Sequence, residues 1–205
     1  MLMPVKNRVK VYVPDAYYHL YNRGWNRTEI FRENEDYEYF EWLLTRHLST
    51  LPVVDTKGRE YRHLRSDIDL LAYCLMPNHF HVLVYQREDH AISQLMSSVL
   101  TAYTMYFNRK YKRRGSLFES TYKAVPILED AQLLHITRYI HLNHAEYKTW
   151  LYSSYDDYLK APREWIYPGA ILELFSSKLH YKEFVDDYEA MQRERDRIKA
   201  ELANS

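Results

Sequence analysis

From Tyr73 to Val84 the chain alternates with a period of two. Phe80, Val82 and Val84 share one parity, and His79 and His81 share the other. Pro77-Asn78 interrupts the run, because proline fixes φ and asparagine tolerates turn conformations. The segment therefore predicts two strands, over about 68–76 and 79–86, joined by a tight turn. Elsewhere the period is helical. Tyr37, Phe40, Leu43, Leu44 and Leu48 predict a helix over about 35–49 with Asn34 as its cap. Ile92, Leu95, Met96, Val99, Leu100, Tyr103 and Phe107 keep one apolar stripe over about 91–108. Leu133, Ile136 and Ile140 mark a third helix, opened by Glu129-Asp130, whose charges suit the positive end of a helix. Strands over 16–21 and 122–128 complete the pattern, and 170–203 read as C-terminal helices, strongly charged from Met191 onward. The order β-α-β-β-α-β predicts an α+β fold: a ferredoxin-like antiparallel sheet with helices packed on it, plus a C-terminal helical extension. In that topology the first and third strands are central, so the histidine strand is a rigid platform. A soft boundary near Pro162 separates a domain of residues 1–160 from an extension of residues 161–205.

Composition changes this picture little. With 205 residues, 46% of them apolar, the chain is long enough for one sizeable core. Lys+Arg and Asp+Glu are both 28, so overall charge gives no support to nucleic-acid binding, and any basic surface must be local. The densest basic run is Arg109-Lys110-Tyr111-Lys112-Arg113-Arg114, five cations interleaved with a tyrosine. Such a run can track a phosphate backbone, or it can be a solvated surface. Arg23 and Arg27 flank a loop where they can face a phosphate. The 21 tyrosines suit the half-buried surface of a sheet or a base-stacking surface. Cys74 is alone, which excludes an intrachain disulfide, and its apolar strand predicts an inert core thiol. No apolar signal region opens the chain and no run is long enough to span a bilayer, so a cytoplasmic protein without a membrane partner is expected.

His79 and His81 point the same way and can offer two nitrogen ligands to one divalent metal; they can equally form a polar sheet face. Tyr139 and Asn143, four apart, lie on one side of the third helix with His135. The Asn143 amide oxygen is a possible third ligand. Two imidazoles and an amide are neutral and suit Mg²⁺ or Mn²⁺, with imidazole favouring Mn²⁺. A tyrosine hydroxyl can attack a phosphodiester and hold it as a phosphotyrosine. With an ordinary pKa of about 10, it needs activation, for which His135 and His141 are candidates. Tyr139 can also be one more packing tyrosine.

Four stretches carry a family resemblance: Tyr17-Tyr18-His19-Leu20-Tyr21-Asn22-Arg23-Gly24, Leu75-Met76-Pro77-Asn78-His79-Phe80-His81-Val82-Leu83, Gly115-Ser116-Leu117-Phe118-Glu119-Ser120-Thr121-Tyr122-Lys123-Ala124 and Arg138-Tyr139-Ile140-His141-Leu142-Asn143. Through them the chain resembles the single-tyrosine HUH transposases of the insertion-sequence type, and among these the REP-associated tyrosine transposases. The resemblance implies a ferredoxin-like fold, a divalent metal on His79 and His81 with Asn143 at the third position, and Tyr139 as nucleophile. It implies cleavage and strand transfer of single-stranded DNA carrying hairpin elements, through a 5′-phosphotyrosine, by a monomer or a homodimer. Two departures stand out. His144-Ala145-Glu146 follows the asparagine where the family has Pro-Val-Arg-Ala, and Glu119 stands where a glutamine is expected. Two further readings are a silent module that binds a single strand or hairpin, and a hydrolase using the histidine pair with water, which leaves Tyr139 without a role.

Overall fold

The computed structural model of the chain describes residues 12–188, so the charged stretch from Met191 onward lies outside the described residues. The elements are β1 (Ala16–Arg23), α1 (Asn34–Leu48), β2 (Ile68–Met76), β3 (His79–Gln86), α2 (Ala91–Lys110), β4 (Lys123–Ile127), α3 (Asp130–His141), α4 (Tyr155–Leu159), α5 (Gly169–Leu172) and a helix α6 over 178–188. The sheet order is β2-β3-β1-β4 with every pairing antiparallel, so β1 and β3 are the central strands. This is the ferredoxin-like order expected from the sequence. No helix among the described residues is long and apolar enough to cross a membrane.

Both faces of the sheet are covered. On one, Leu20, Tyr73, Leu75, Phe80, Val82 and Val84 pack against Phe40 and Leu44 of α1 and Ile92, Val99 and Tyr103 of α2. On the other, Ala72, Cys74 and Leu83 meet Leu133 and Ile140 of α3, with Tyr158, Ile171 and Tyr181 from the C-terminal segment. Double coverage explains why β2 is a nearly unbroken apolar run rather than an alternating one. The outer edge of β2 is capped by the returning chain. Leu75 N–H donates to Tyr152 O (2.9 Å), Ser154 N–H to Tyr73 O (3.0 Å) and Tyr167 N–H to Leu70 O (2.8 Å). Those bonds pair an edge that would otherwise offer free donors and acceptors. Residues on both sides of Pro162 contribute to the same two cores: Tyr155 and Tyr158 before it, Trp165, Ile166 and Ile171 after it.

The start of α1 differs from the expected Asn34 cap. Glu33 is the cap residue, and the Asp36 carboxylate accepts from the backbone N–H groups of Arg32 (2.9 Å) and Glu33 (3.2 Å). Asp36 stands at the third helical position, from which its charged side chain reaches back to those free amides, whereas Asn34 is already the first residue inside the helix. Asp36 is fully buried and also accepts from Tyr106 (3.0 Å), Tyr111 (2.7 Å) and Lys110 (2.9 Å), all at the end of α2. Burial alone would raise its pKa, but these hydrogen bonds outweigh it and hold the carboxyl below its ordinary value. The cage pins the start of α1 to the end of α2. Asp36→Asn leaves the Lys110 charge without its buried partner and should destabilise the fold by about 3 kcal/mol in urea denaturation. A loss under about 1 kcal/mol would show that the cage is incidental.

His141, the last residue of α3, is fully buried, with Nδ1 2.6 Å from the Tyr181 hydroxyl and Nε2 2.8 Å from Ser154 Oγ. Burial pushes its pKa down from 6.5 to about 3. As pH falls through the unfolded value, the unfolded chain takes up a proton that the folded chain refuses, so stability declines from there toward the folded value. His141 alone should remove about 2 kcal/mol of stability between about pH 7 and about pH 5. Denaturation curves of wild type and His141→Gln at both pH values measure it. Equal pH slopes in the two proteins would contradict the assignment.

Candidate active site

His79 opens β3 immediately after the Pro77-Asn78 turn, and the turn is clamped from outside. Gly24 N–H donates to Asn78 O (2.9 Å), and Ile30 and Phe31 N–H both donate to Pro77 O (2.7 and 3.0 Å). Gly24 is required by close approach, since a Cβ there would lie 2.1 Å from the Thr28 carbonyl oxygen. In the β1–β3 register, Arg23 lies opposite His79 and Tyr21 opposite His81. Directly opposed residues share a face, so Arg23, Tyr21, His79 and His81 all point toward α3, as does His19 by parity.

α3 completes the group. The Tyr139 ring stands edge-on to His81, centroids 5.3 Å apart at 82°, and 6.3 Å from His19. Tyr139 remains 42% exposed, and its hydroxyl has no hydrogen-bond partner among the described residues. Asn143 Oδ1 lies 2.9 Å from His79 Nε2. Asn143 is not on the helix as the four-residue spacing implies. α3 ends at His141, and Asn143 sits in the tightened turn beyond it, its N–H 3.3 Å from Ile140 O.

The hydrogen bonds fix where the lone pairs point. Asn78 Nδ2 donates to Arg27 O (3.3 Å), so its Oδ1 accepts from His79 Nδ1–H at 2.6 Å. Burial lowers the His79 pKa, so the ring is neutral near pH 7 and carries its lone pair on Nε2. Asn143 Oδ1 meets that nitrogen at 2.9 Å, a separation that suits an ordinary hydrogen bond in the other tautomer and also two ligands of one ion. Adjacent ligands of one ion, with bonds of about 2.1 Å meeting at a right angle, lie about 3 Å apart. His81 Nδ1 is 2.9 Å from His19 Nε2, both rings being almost wholly buried. A proton on His81 Nδ1 leaves Nε2 free to ligate, and His19 is then the partner that orients the ring. Burial pushes His81 down to about 3 and His19 to about 4, with His19 and His79 adding to the effect on His81. The donors therefore fit a divalent ion held by His79, His81 and Asn143. No group of three or more His, Cys, Asp or Glu side chains able to hold a metal occurs among the described residues, so the fitting set is a neutral one.

A cleft of about 480 Å³ opens beside His79, His81 and Tyr139, with Asn143 and His19 outside its lining. Its lining includes His79, His81, Tyr139, Arg23, Arg27, Lys123 and Glu119. Arg23 donates from Nε to Glu119 Oε1 (3.2 Å) and from Nη2 to Oε2 (2.9 Å), which holds the carboxyl below its ordinary pKa. Lys123 Nζ lies 5.6 Å from the Tyr21 ring centroid.

Several expected residues are elsewhere. None of Arg109, Lys110, Lys112, Arg113 and Arg114 lines the cleft. Lys110 is enclosed by Glu33 (3.2 Å), Glu35 (3.1 Å) and Asp36 (2.9 Å), and Arg113 lies over the Phe107 ring. Arg109, Lys112 and Arg114 are the exposed cations of the run. His141 cannot serve Tyr139 as a base, because it is sealed among Tyr155, Tyr158 and Tyr181. His135 is exposed and faces Tyr188, away from the cleft lining. His19 and Lys123 were not singled out from the sequence. His19 has the parity of Tyr21 on β1, which could have flagged it once β1 was paired with β3.

Residues 57–143 match the family described as IS200-like transposases. No curated protein matches the chain in sequence. Among solved structures, a REP-associated tyrosine transposase bound to a REP hairpin superposes with a TM-score of 0.52 at 12% identity, covering 85% of this chain and 96% of that one. That likeness shows a shared fold. A Deinococcus radiodurans R1 protein described as a candidate transposase has a TM-score of 0.40 at 18% identity, covering 69% of this chain and 98% of its own. The matched stretch runs from ahead of β2 to Asn143 and so holds His79, His81 and Tyr139 as well. The likeness to the IS200-like transposases therefore rests on residues 57–143, the part of the chain that carries the hairpin strands and α3.

Proposed function

We propose that the protein is a metal-dependent endonuclease and strand transferase of single-stranded DNA, acting through a 5′-phosphotyrosine on Tyr139. The observation that carries this reading is the meeting of Tyr139 with His81 in a cleft that His79 also lines, with Asn143 Oδ1 2.9 Å from His79 Nε2. The similar structure bound to a REP hairpin supports a substrate with hairpin elements flanking the cleaved strand.

His79, His81 and Asn143 would hold a Mg²⁺ or Mn²⁺ ion, which supplies positive charge to the non-bridging oxygens of a phosphate. Asn78 sets the tautomer of His79, and His19 orients His81. Arg27 and Lys123, which form no ion pair among the described residues, meet phosphates of the strand. The Tyr139 oxygen attacks phosphorus and the P–O3′ bond breaks. The phenolic proton is lost to solvent at the exposed ring, and the 3′-oxygen takes one up. The fragment with the free 3′-hydroxyl can later attack the phosphotyrosine, which returns the proton to Tyr139 and rejoins the strand. The energy of the phosphodiester is thus kept, as a transferase needs and a simple hydrolase does not.

Tyr139→Phe deletes one oxygen and keeps the ring. A covalent protein–DNA band on a denaturing gel should form with wild type and fall at least about a thousandfold with the variant, while strand binding persists. An undiminished band from the Phe variant would overturn the role of Tyr139. The neutral donor set predicts weak Mn²⁺ affinity for the protein alone and tighter binding when a non-cleavable strand adds its phosphate oxygens. By linkage the ion should tighten the strand by the same factor. Calorimetry in both orders measures this, and His79→Ala/His81→Ala should remove the coupling without unfolding the protein. Cleavage that persists in excess chelator would remove the metal from the reading.

A further inference from the structure

We infer that Arg23 is a backbone-phosphate subsite of the cleft and that Glu119 occupies it in the DNA-free protein, so that Glu119 sets the threshold a strand must pass to enter. The inference rests on reading the cleft as a single-strand site, and adds a resident competitor to it.

The pairing of these two side chains is built in by the backbone. Glu119 N–H donates to Arg23 O (3.0 Å), Trp25 N–H donates to Leu117 O (2.9 Å), and Gly24 bridges Phe118. Both side chains line the cleft, and Arg23 stands opposite His79 in the register. The guanidinium presents two parallel donors to the carboxylate, the geometry with which arginine also grips a phosphate. The two anions therefore compete for one fork. The pair is partly solvated, 44% and 32% exposed at the side chains, so it can open.

The remaining lining cations differ. Arg27 and Lys123 make no ion pair among the described residues and are free for phosphates. Among the described lining cations Arg23 is the one in direct contact with an anion, although Lys123 also acts on the Glu119 carboxylate from further away, and Arg23 is the cation aligned with the histidine strand. A phosphate approaching that guanidinium meets the repulsion of the Glu119 carboxylate beside it and must displace it from the fork. The chain's zero formal net charge offers no long-range pull to offset that repulsion. A strand held by contacts elsewhere can displace Glu119; a loose strand without such anchoring is disfavoured. Glu119 thereby raises the selectivity of the cleft for anchored strands over plain ones.

The test is binding of a plain 12-nucleotide oligo(dT), which lacks exocyclic amino groups for Glu119 to accept from, followed by fluorescence anisotropy across a salt series. Glu119→Gln should bind about tenfold tighter than wild type, with a salt slope steeper by about 0.7 as Arg23 gains a phosphate. Arg23→Gln should weaken binding strongly in the Glu119→Gln background and little in wild type, because only the former leaves Arg23 free. Glu60→Gln, at an exposed position outside the cleft lining, controls for the change in net charge. Unchanged or weaker binding by a folded Glu119→Gln variant, an equal gain from Glu60→Gln, or additive effects of the two cleft substitutions would each overturn the proposal while leaving the single-strand reading intact. Failure of every protein to bind the strand would bring down that reading and this proposal together.

Discussion

The register between β1 and β3 is the constraint on which the cleft depends. Tyr21 opposite His81 and Arg23 opposite His79 put two imidazoles, a cation and an aromatic wall on one face. A slip of one residue would exchange faces, turning the imidazoles toward Phe40 and bringing Phe80 into the cleft. Burying Phe80, Val82 and Val84 is worth roughly 2 kcal/mol each, and the slip would forfeit all three while burying two polar rings. That difference far exceeds any single hydrogen bond in the site. The clamp of Gly24, Ile30 and Phe31 on the Pro77-Asn78 turn adds a local stop at the end of the register.

Double coverage of the sheet turns a polar face into a site. α3 lays Leu133 and Ile140 on the second core and, from its C-terminal turn, brings Tyr139 over His81. The imidazoles are thereby removed from water and kept neutral, which leaves their lone pairs for a ligand instead of a proton. Charge is confined to the rim, on Arg23, Arg27, Lys123 and Glu119. A neutral floor under a positive rim suits a polyanion that brings its own negative charge to an ion.

The sequence made most elements legible because the periods are strong and the breakers well placed. The β2–β3 hairpin follows from Pro77-Asn78 and the alternation around it, and α2 from its unbroken apolar stripe. The pairing of Tyr139 with the histidine strand was legible only through resemblance, since no local pattern says which side of α3 faces β3. What stayed hidden depends on long-range packing. Lys110 reads as a free cation until α1 brings Glu33, Glu35 and Asp36 to it. His141 reads as a surface base until Tyr181 of α6 closes over it. His19 gains its partner only from the pairing of β1 with β3. Glu119 reads as an unexplained departure from the family pattern, one of two, until the backbone bridge at Gly24 sets it on Arg23.

The most direct measurement is peptide mapping by mass spectrometry after incubation of the protein with Mn²⁺ and a single strand carrying hairpin elements. A nucleotide mass attached through a phosphodiester to the peptide containing Tyr139, and absent from those of the other tyrosines, is the predicted result. A cut strand with no nucleotide on any tyrosine, or an adduct on a tyrosine other than Tyr139, would contradict it.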